Sequence, residues 1–113
     1  MSFLFHNPRC SKSRQALALL EERGAEVEVI RYLDDPPDAD TVSGLVDKLG
    51  IPAHDLLRTK EAPYAELGLS SESDRDTIVA AIARHPILLE RPVLVVGDRA
   101  VIGRPPERVL ELL

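Results

Sequence analysis

A single cysteine is the residue in this sequence best suited to nucleophilic chemistry. Cys10 lies in His6-Asn7-Pro8-Arg9-Cys10-Ser11-Lys12-Ser13-Arg14. A thiol attacks as its thiolate, so what matters is whether the surroundings favour negative charge. Residues 2–6 are apolar and end at Asn7-Pro8, which reads as a strand stopped by a turn. Residues 11–23 carry Ala16, Leu17, Leu19 and Leu20 near helical spacing. Cys10 therefore falls at a helix start, where unpaired N–H groups and the helix dipole stabilise an anion. Arg9, Lys12 and Arg14 add positive charge within one turn, and Ser11 and Ser13 add hydroxyls. A lone cysteine is otherwise a small buried hydrophobe. The basic, hydroxylic flank shifts the expectation to chemistry.

The spacing excludes two familiar thiol devices. A cysteine-phosphatase loop needs arginine six positions after the cysteine, and that position is Ala16. A dithiol redox motif needs a second cysteine at position 13, which is Ser13. If Cys10 is oxidised or adducted in turnover, an external thiol has to restore it. One cysteine also rules out an internal disulfide or a cysteine-rich metal or iron–sulfur site. No histidine pair has ligand spacing, so no metal site is expected. His6 either orients Cys10 or is a satisfied structural histidine, while His54 and His85 flank prolines or helix ends.

The chain of 113 residues is long enough for one domain with its own core. A net charge of −5 and 4% aromatic residues argue against nucleic-acid binding by phosphate neutralisation and base stacking. The apolar run near the N-terminus is three residues, too short for a signal peptide core. No stretch reaches the ~20 apolar residues of a membrane span. A cytoplasmic monomer is expected, in a compartment that keeps a thiol reduced.

The elements that must position Cys10 follow from pattern. A second strand is expected over residues 26–32, and the Asp34-Asp35-Pro36-Pro37 break follows it. Asp38 or Asp40 caps a helix ending at Leu49, with Val42, Leu45, Val46 and Leu49 on one face. Short helical turns fill residues 54–69. Ser73 or Asp74 opens a helix with Ile78, Val79, Ala81 and Ile82 as its stripe, closed by His85-Pro86. Residues 92–96 form an apolar strand, Gly97-Asp98 a hairpin turn, and residues 100–102 the return strand. A last helix is expected from Pro105 to Leu113. The order gives an α/β fold with a small mixed sheet: βαβ, helical insert, ββα.

Residues 6–14 resemble the active-site segment of glutaredoxin-coupled arsenate reductases (the ArsC-like family), typically His-Asn-Pro-x-Cys-x-x-Ser-Arg. Tyr32-Leu33 with Pro36-Pro37, Leu56-Leu57-Arg58, His85-Pro86-Ile87-Leu88 with Glu90-Arg91-Pro92, and Gly103-Arg104-Pro105 resemble further family elements in the same order. The similarity covers nearly the whole chain. It implies a single thioredoxin-like domain over residues 1–113 that reduces arsenate to arsenite. Cys10 would be the nucleophile, Arg58, Arg91 and Arg104 would hold the oxyanion, and His6, Ser13 and Arg14 would tune the thiolate. Glutathione would be the co-substrate and glutaredoxin the protein partner, with no bound cofactor. Arginine suits these roles because its planar fork matches tetrahedral oxyanions. Gly103 permits close backbone approach beside Arg104, and a cis peptide before Pro92 fits the resemblance. Two other functions share the fold family. One is a glutathione-dependent thiol reductase of another substrate. The other is an RNA-polymerase-binding regulator, whose redox-switched forms carry a Cys-x-x-Cys pair that Ser13 breaks here.

Overall fold

The computed structural model describes residues 2–113 and divides the chain into two compact units. The first comprises Met1–Asp35 with Arg91–Leu113 and contains the sheet. Its strands are β1 (Ser2–His6), β2 (Glu28–Arg31), β3 (Val93–Val96) and β4 (Arg99–Ile102), and α1 spans Ser11–Glu22. The sheet order is β2-β1-β3-β4. β1 runs parallel to β2 and antiparallel to β3, and β3 to β4 is antiparallel, so the sheet is mixed as expected. Parallel neighbours need a crossover, and α1 supplies it.

The central strands are the apolar ones. Leu4, Val93 and Leu94 are fully buried, and Phe5 and Val95 nearly so. Leu4, Leu94 and Val101 pack against Ala16 and Leu20 of α1 and against Val109. Each large side chain buried this way stabilises the fold by about 1.5–3 kcal/mol. β2, at the edge, is mostly exposed and begins at Glu28, later than the expected Glu26. Its neighbours Ala25 and Val27 are partly buried against the core without joining the ladder.

The helix end fixes where the chain turns toward β2. Gly24 has φ +66, its N–H reaches the Glu21 carbonyl, and the Ala25 N–H reaches the Leu20 carbonyl. This paired pattern with a left-handed glycine is a Schellman stop. In the β3–β4 hairpin only Gly97 of the two turn residues has positive φ, +62, the pattern of a II′ turn. The final segment differs from expectation. Pro105 is the cap rather than the first helical residue, and Pro106–Leu112 is a 3₁₀ helix instead of an α-helix.

The second unit, Pro36–Glu90, is the helical insert. It contains α2 (Ala39–Leu49), α3 (Ala62–Glu66) and α4 (Arg75–Arg84), with 3₁₀ turns at Ala53–Leu56 and Pro86–Leu88. Asp38 and Asp74 cap α2 and α4 by accepting from the Thr41 and Thr77 N–H groups at 2.8 and 2.7 Å. Such caps are worth about 1 kcal/mol each. Val42, Leu45 and Val46 of α2 and Ile78, Val79, Ala81 and Ile82 of α4 are buried, while Leu49 is half-buried. No described helix is long and apolar enough to cross a membrane.

Candidate active site

Cys10 sits at the joint between β1 and α1, where backbone bonds fold the chain tightly. The Cys10 N–H donates to the Asn7 carbonyl at 3.0 Å, and the Arg9 N–H donates to Asn7 Oδ1 at 2.9 Å. The Arg14 N–H then donates to the Cys10 carbonyl at 3.0 Å, so the first helical hydrogen bond ends on the cysteine. Cys10 is the N-cap residue of α1, in extended conformation and half-buried. Asn7 is thus the organiser of this turn. Pattern reading saw it only as half of an Asn-Pro break, although an asparagine whose side chain accepts two residues on is a known turn device.

Ser13, a thiolate-tuning residue by resemblance, lies in the first turn of α1. Its side chain is fully buried. Its Oγ accepts from the Asn7 N–H at 3.1 Å and lies 2.6 Å from His6 Nδ1. His6 is 4% exposed at the end of β1. Burial, and then the positive charges of Arg31 and Arg14, hold its pKa below the ordinary value, so the ring is neutral. The hydroxyl proton of Ser13 serves Nδ1 when the ring carries its own proton on Nε2. His6 and Ser13 thereby lock the end of β1 to the first turn of α1. Arg14 donates from Nη1 to the Pro8 carbonyl at 2.9 Å, bracing the same loop.

The thiol is biased toward its thiolate. Burial is the largest influence and opposes ionisation. The Ser13 N–H, the Arg91 guanidinium and the Lys12 N–H together outweigh it, and the Cys10 pKa lies below its ordinary value. Both N–H groups belong to the first turn of α1, where the helix dipole also favours an anion. The expected contributors are partly replaced. Arg9 and Lys12 have exposed side chains, and Lys12 acts through its backbone. The cations that matter come from the far end of the chain.

Arg91 and Arg104 are brought to Cys10 by the sheet. Arg91 immediately precedes β3 through a cis peptide to Pro92, and Arg104 follows β4 and is joined to Pro105 by a second cis peptide. Arg104 Nε donates to the Arg91 carbonyl at 2.7 Å, and its Nη2 lies 3.5 Å from Cys10 Sγ. Gly103 makes this approach possible. A Cβ there would stand 2.8 Å from Pro92 Cγ and 2.9 Å from Val109 Cγ1, and the Gly103 N–H donates to the Pro92 carbonyl at 2.8 Å. Arg104 precedes the Pro105 cap by one residue.

Arg58 belongs to the second unit. Its Nε is 3.2 Å from Glu61 Oε2 and its Nη1 is 3.1 Å from Glu90 Oε1. Nothing in the arginine-centred pattern pointed to these two carboxylates. His54 bonds through Nε2 to the Tyr64 hydroxyl at 2.9 Å, and His85 is the C-cap of α4. Among the described residues, no group of three or more His, Cys, Asp or Glu could hold a metal ion. An open cleft of about 650 Å³ lies along β2, where Glu28, Asp34 and Asp35 outnumber Arg31 and disfavour an oxyanion.

Known proteins resemble this chain over nearly its whole length. A family model described as "ArsC family" matches residues 5–112. An arsenate reductase of Neisseria meningitidis is 49% identical over 112 residues, covering 97% of this chain and 96% of that protein. The Escherichia coli protein YfgD, described as uncharacterized, is 47% identical with 97% and 94% coverage. A solved arsenate reductase from Vibrio cholerae shares 45% identity with a TM-score of 0.94, covering 99% of this chain and 97% of that one.

Proposed function

This chain belongs to the ArsC family, with a thioredoxin-like α/β fold, and from that membership we propose that it reduces arsenate to arsenite through a Cys10 thiolate, using glutathione and glutaredoxin as external thiols. The observation that carries the proposal is a lone cysteine at the start of α1 whose Sγ lies 3.5 Å from Arg104 Nη2. Cys10 is the sole cysteine of the sequence.

The chemistry balances as follows. The thiolate forms an S–As bond with arsenate, and one arsenate oxygen leaves as water after taking up protons. Glutathione thiolate then attacks the Cys10 sulfur. The S–As bond breaks, its electron pair goes to arsenic, and As(V) leaves as As(III). Cys10 and glutathione are left as a mixed disulfide, which glutaredoxin cleaves by thiol–disulfide exchange. Arg91 and Arg104 favour the thiolate and bind arsenate oxygens, and Arg58 is the third oxyanion arginine by resemblance. His6 and Ser13 keep the thiol-bearing turn in place, and Arg14 braces it. No bound cofactor is required. On this proposal residues 1–113 act as one catalytic domain, a monomer in the reducing cytoplasm.

Steady-state turnover with arsenate, glutathione and glutaredoxin tests it. Arsenate-dependent glutathione oxidation that requires Cys10 is expected. Turnover far below that with another oxyanion or a disulfide would replace arsenate with that substrate, leaving a glutathione-dependent thiol reductase.

A further inference from the structure

The two carboxylates on Arg58 are the most unusual electrostatic feature of the second unit. The arrangement is built by the backbone. Leu57 and Leu89 form an isolated antiparallel bridge, and both are buried. The Arg58 N–H donates to the Leu88 carbonyl and the Glu90 N–H to the Leu56 carbonyl, each at 2.8 Å. Arg58 and Glu90 are therefore fixed next to one another by main-chain bonds. Glu61 enters from the turn before α3, its N–H reaching the Arg58 carbonyl at 3.3 Å. Burial disfavours the Arg58 charge, but Glu61 and Glu90 outweigh it and hold the guanidinium pKa above its ordinary value.

The side chains of Arg58, Glu61 and Glu90 are 23%, 26% and 22% exposed. Water reaches them, so either carboxylate can exchange. They are still shielded enough that their charges count. An oxyanion approaching Arg58 meets one positive and two negative charges, with Nε and Nη1 already engaged. The two-point faces of the fork pair Nη2 with Nε or with Nη1, so each carboxylate occupies one donor of a different face.

We propose that Glu61 and Glu90 compete with the oxyanion for Arg58, so that this arginine takes up an anion only when one of them lets go. This rests on the reading of Arg58 as an oxyanion-binding residue. Competition limits how tightly the resting protein holds abundant tetrahedral anions. It also makes the gain from removing a carboxylate depend on the ligand's charge. A neighbouring unit charge a few ångströms away, partly screened, is worth about a threefold to tenfold change in affinity.

Calorimetric titration of the full chain with inorganic arsenate, without glutathione, tests this. Glu61→Gln and Glu90→Gln should each tighten binding about threefold to tenfold, and Glu90→Asp should not. The gain should vanish when Arg58→Ala is added. Damage to a merely structural clamp would not tighten binding. Should the Gln variants bind equally or more weakly while Arg58→Ala weakens the wild type, competition is overturned and Arg58 remains an oxyanion residue. If the gain persists in the Arg58→Ala background, it comes from overall charge, and competition is again overturned. Arg58→Ala without effect in any background overturns the role of Arg58 itself.

Discussion

Replacing Arg104 with alanine should damage the thiol and the oxyanion site together. Arg104 is held by its Nε bond to the Arg91 carbonyl at 2.7 Å and offers Nη2 to Cys10 Sγ at 3.5 Å. The contact to sulfur is long and half-exposed, so its share is small. On the proposed function, the larger loss is a charge-assisted contact to an arsenate oxygen, worth about 1.5–3 kcal/mol. That converts to a fall in kcat/KM of about ten- to a hundredfold. Steady-state kinetics with arsenate, glutathione and glutaredoxin measures it. Iodoacetamide alkylation against pH measures the thiol, whose midpoint should move upward in Arg104→Ala. Arg104→Lys separates charge from geometry. Lysine keeps a cation near the sulfur but cannot span both the Arg91 carbonyl and a ligand with a planar fork. It should restore most of the thiol acidity and little of kcat/KM. Wild-type kinetics and an unmoved alkylation midpoint in Arg104→Ala would refute the assignment of Arg104 to the site.

Three further outcomes follow from particular contacts. Gly103→Ala places a methyl within 3 Å of Pro92 and Val109, and overpacking of this kind costs about 1–3 kcal/mol. A thermal melt should shift down by about 4–13 °C, and an unchanged Tm would show the contact is slack. Asn7→Ala removes the acceptor for the Arg9 N–H, which should cost about 1 kcal/mol in urea unfolding, whereas Asn7→Asp, which keeps the oxygen, should cost less. The pH dependence of stability has a fixed sign. His6 is held below its ordinary value of 6.5, so between the folded and ordinary values the unfolded chain binds the extra proton. The His6 contribution is complete above pH 6.5 and is lost as pH falls through the folded value. Cys10, also depressed, behaves likewise at higher pH, contributing above its ordinary range and losing that as pH falls. Urea melts across pH should show a slope below pH 6.5 that His6→Gln flattens; equal slopes would contradict the burial of a neutral ring.

The parts of this molecule that were legible in sequence are those with local causes. Asp38 and Asp74 announce their helices because a carboxylate three residues before a free N–H has one obvious use. Gly24 and Gly97 announce a stop and a turn because they take positive φ. Cys10 could be placed at a helix start for the same reason. What sequence could not give was the source of its charge environment. Arg9 and Lys12 are neighbours in the chain yet point to solvent, while Arg104 reaches the sulfur from 94 residues away. That meeting depends on β3 and β4 pairing beside β1, a long-range result. Ser13 has a role by resemblance, while the bond between its hydroxyl and His6 Nδ1 follows from the meeting of β1 and α1. Glu61 lies three residues from Arg58 and was within reach of pattern; Glu90, 32 residues on, depended on the Leu57–Leu89 bridge.

Intact-protein mass spectrometry of the reduced chain, exposed to arsenate and glutathione and then to glutaredoxin, tests the catalytic cycle most directly. A glutathione adduct at Cys10 that forms only with arsenate present, and disappears when reduced glutaredoxin is added, is the predicted result. An unmodified Cys10 during ongoing arsenate reduction, or the same turnover from Cys10→Ser, would contradict it.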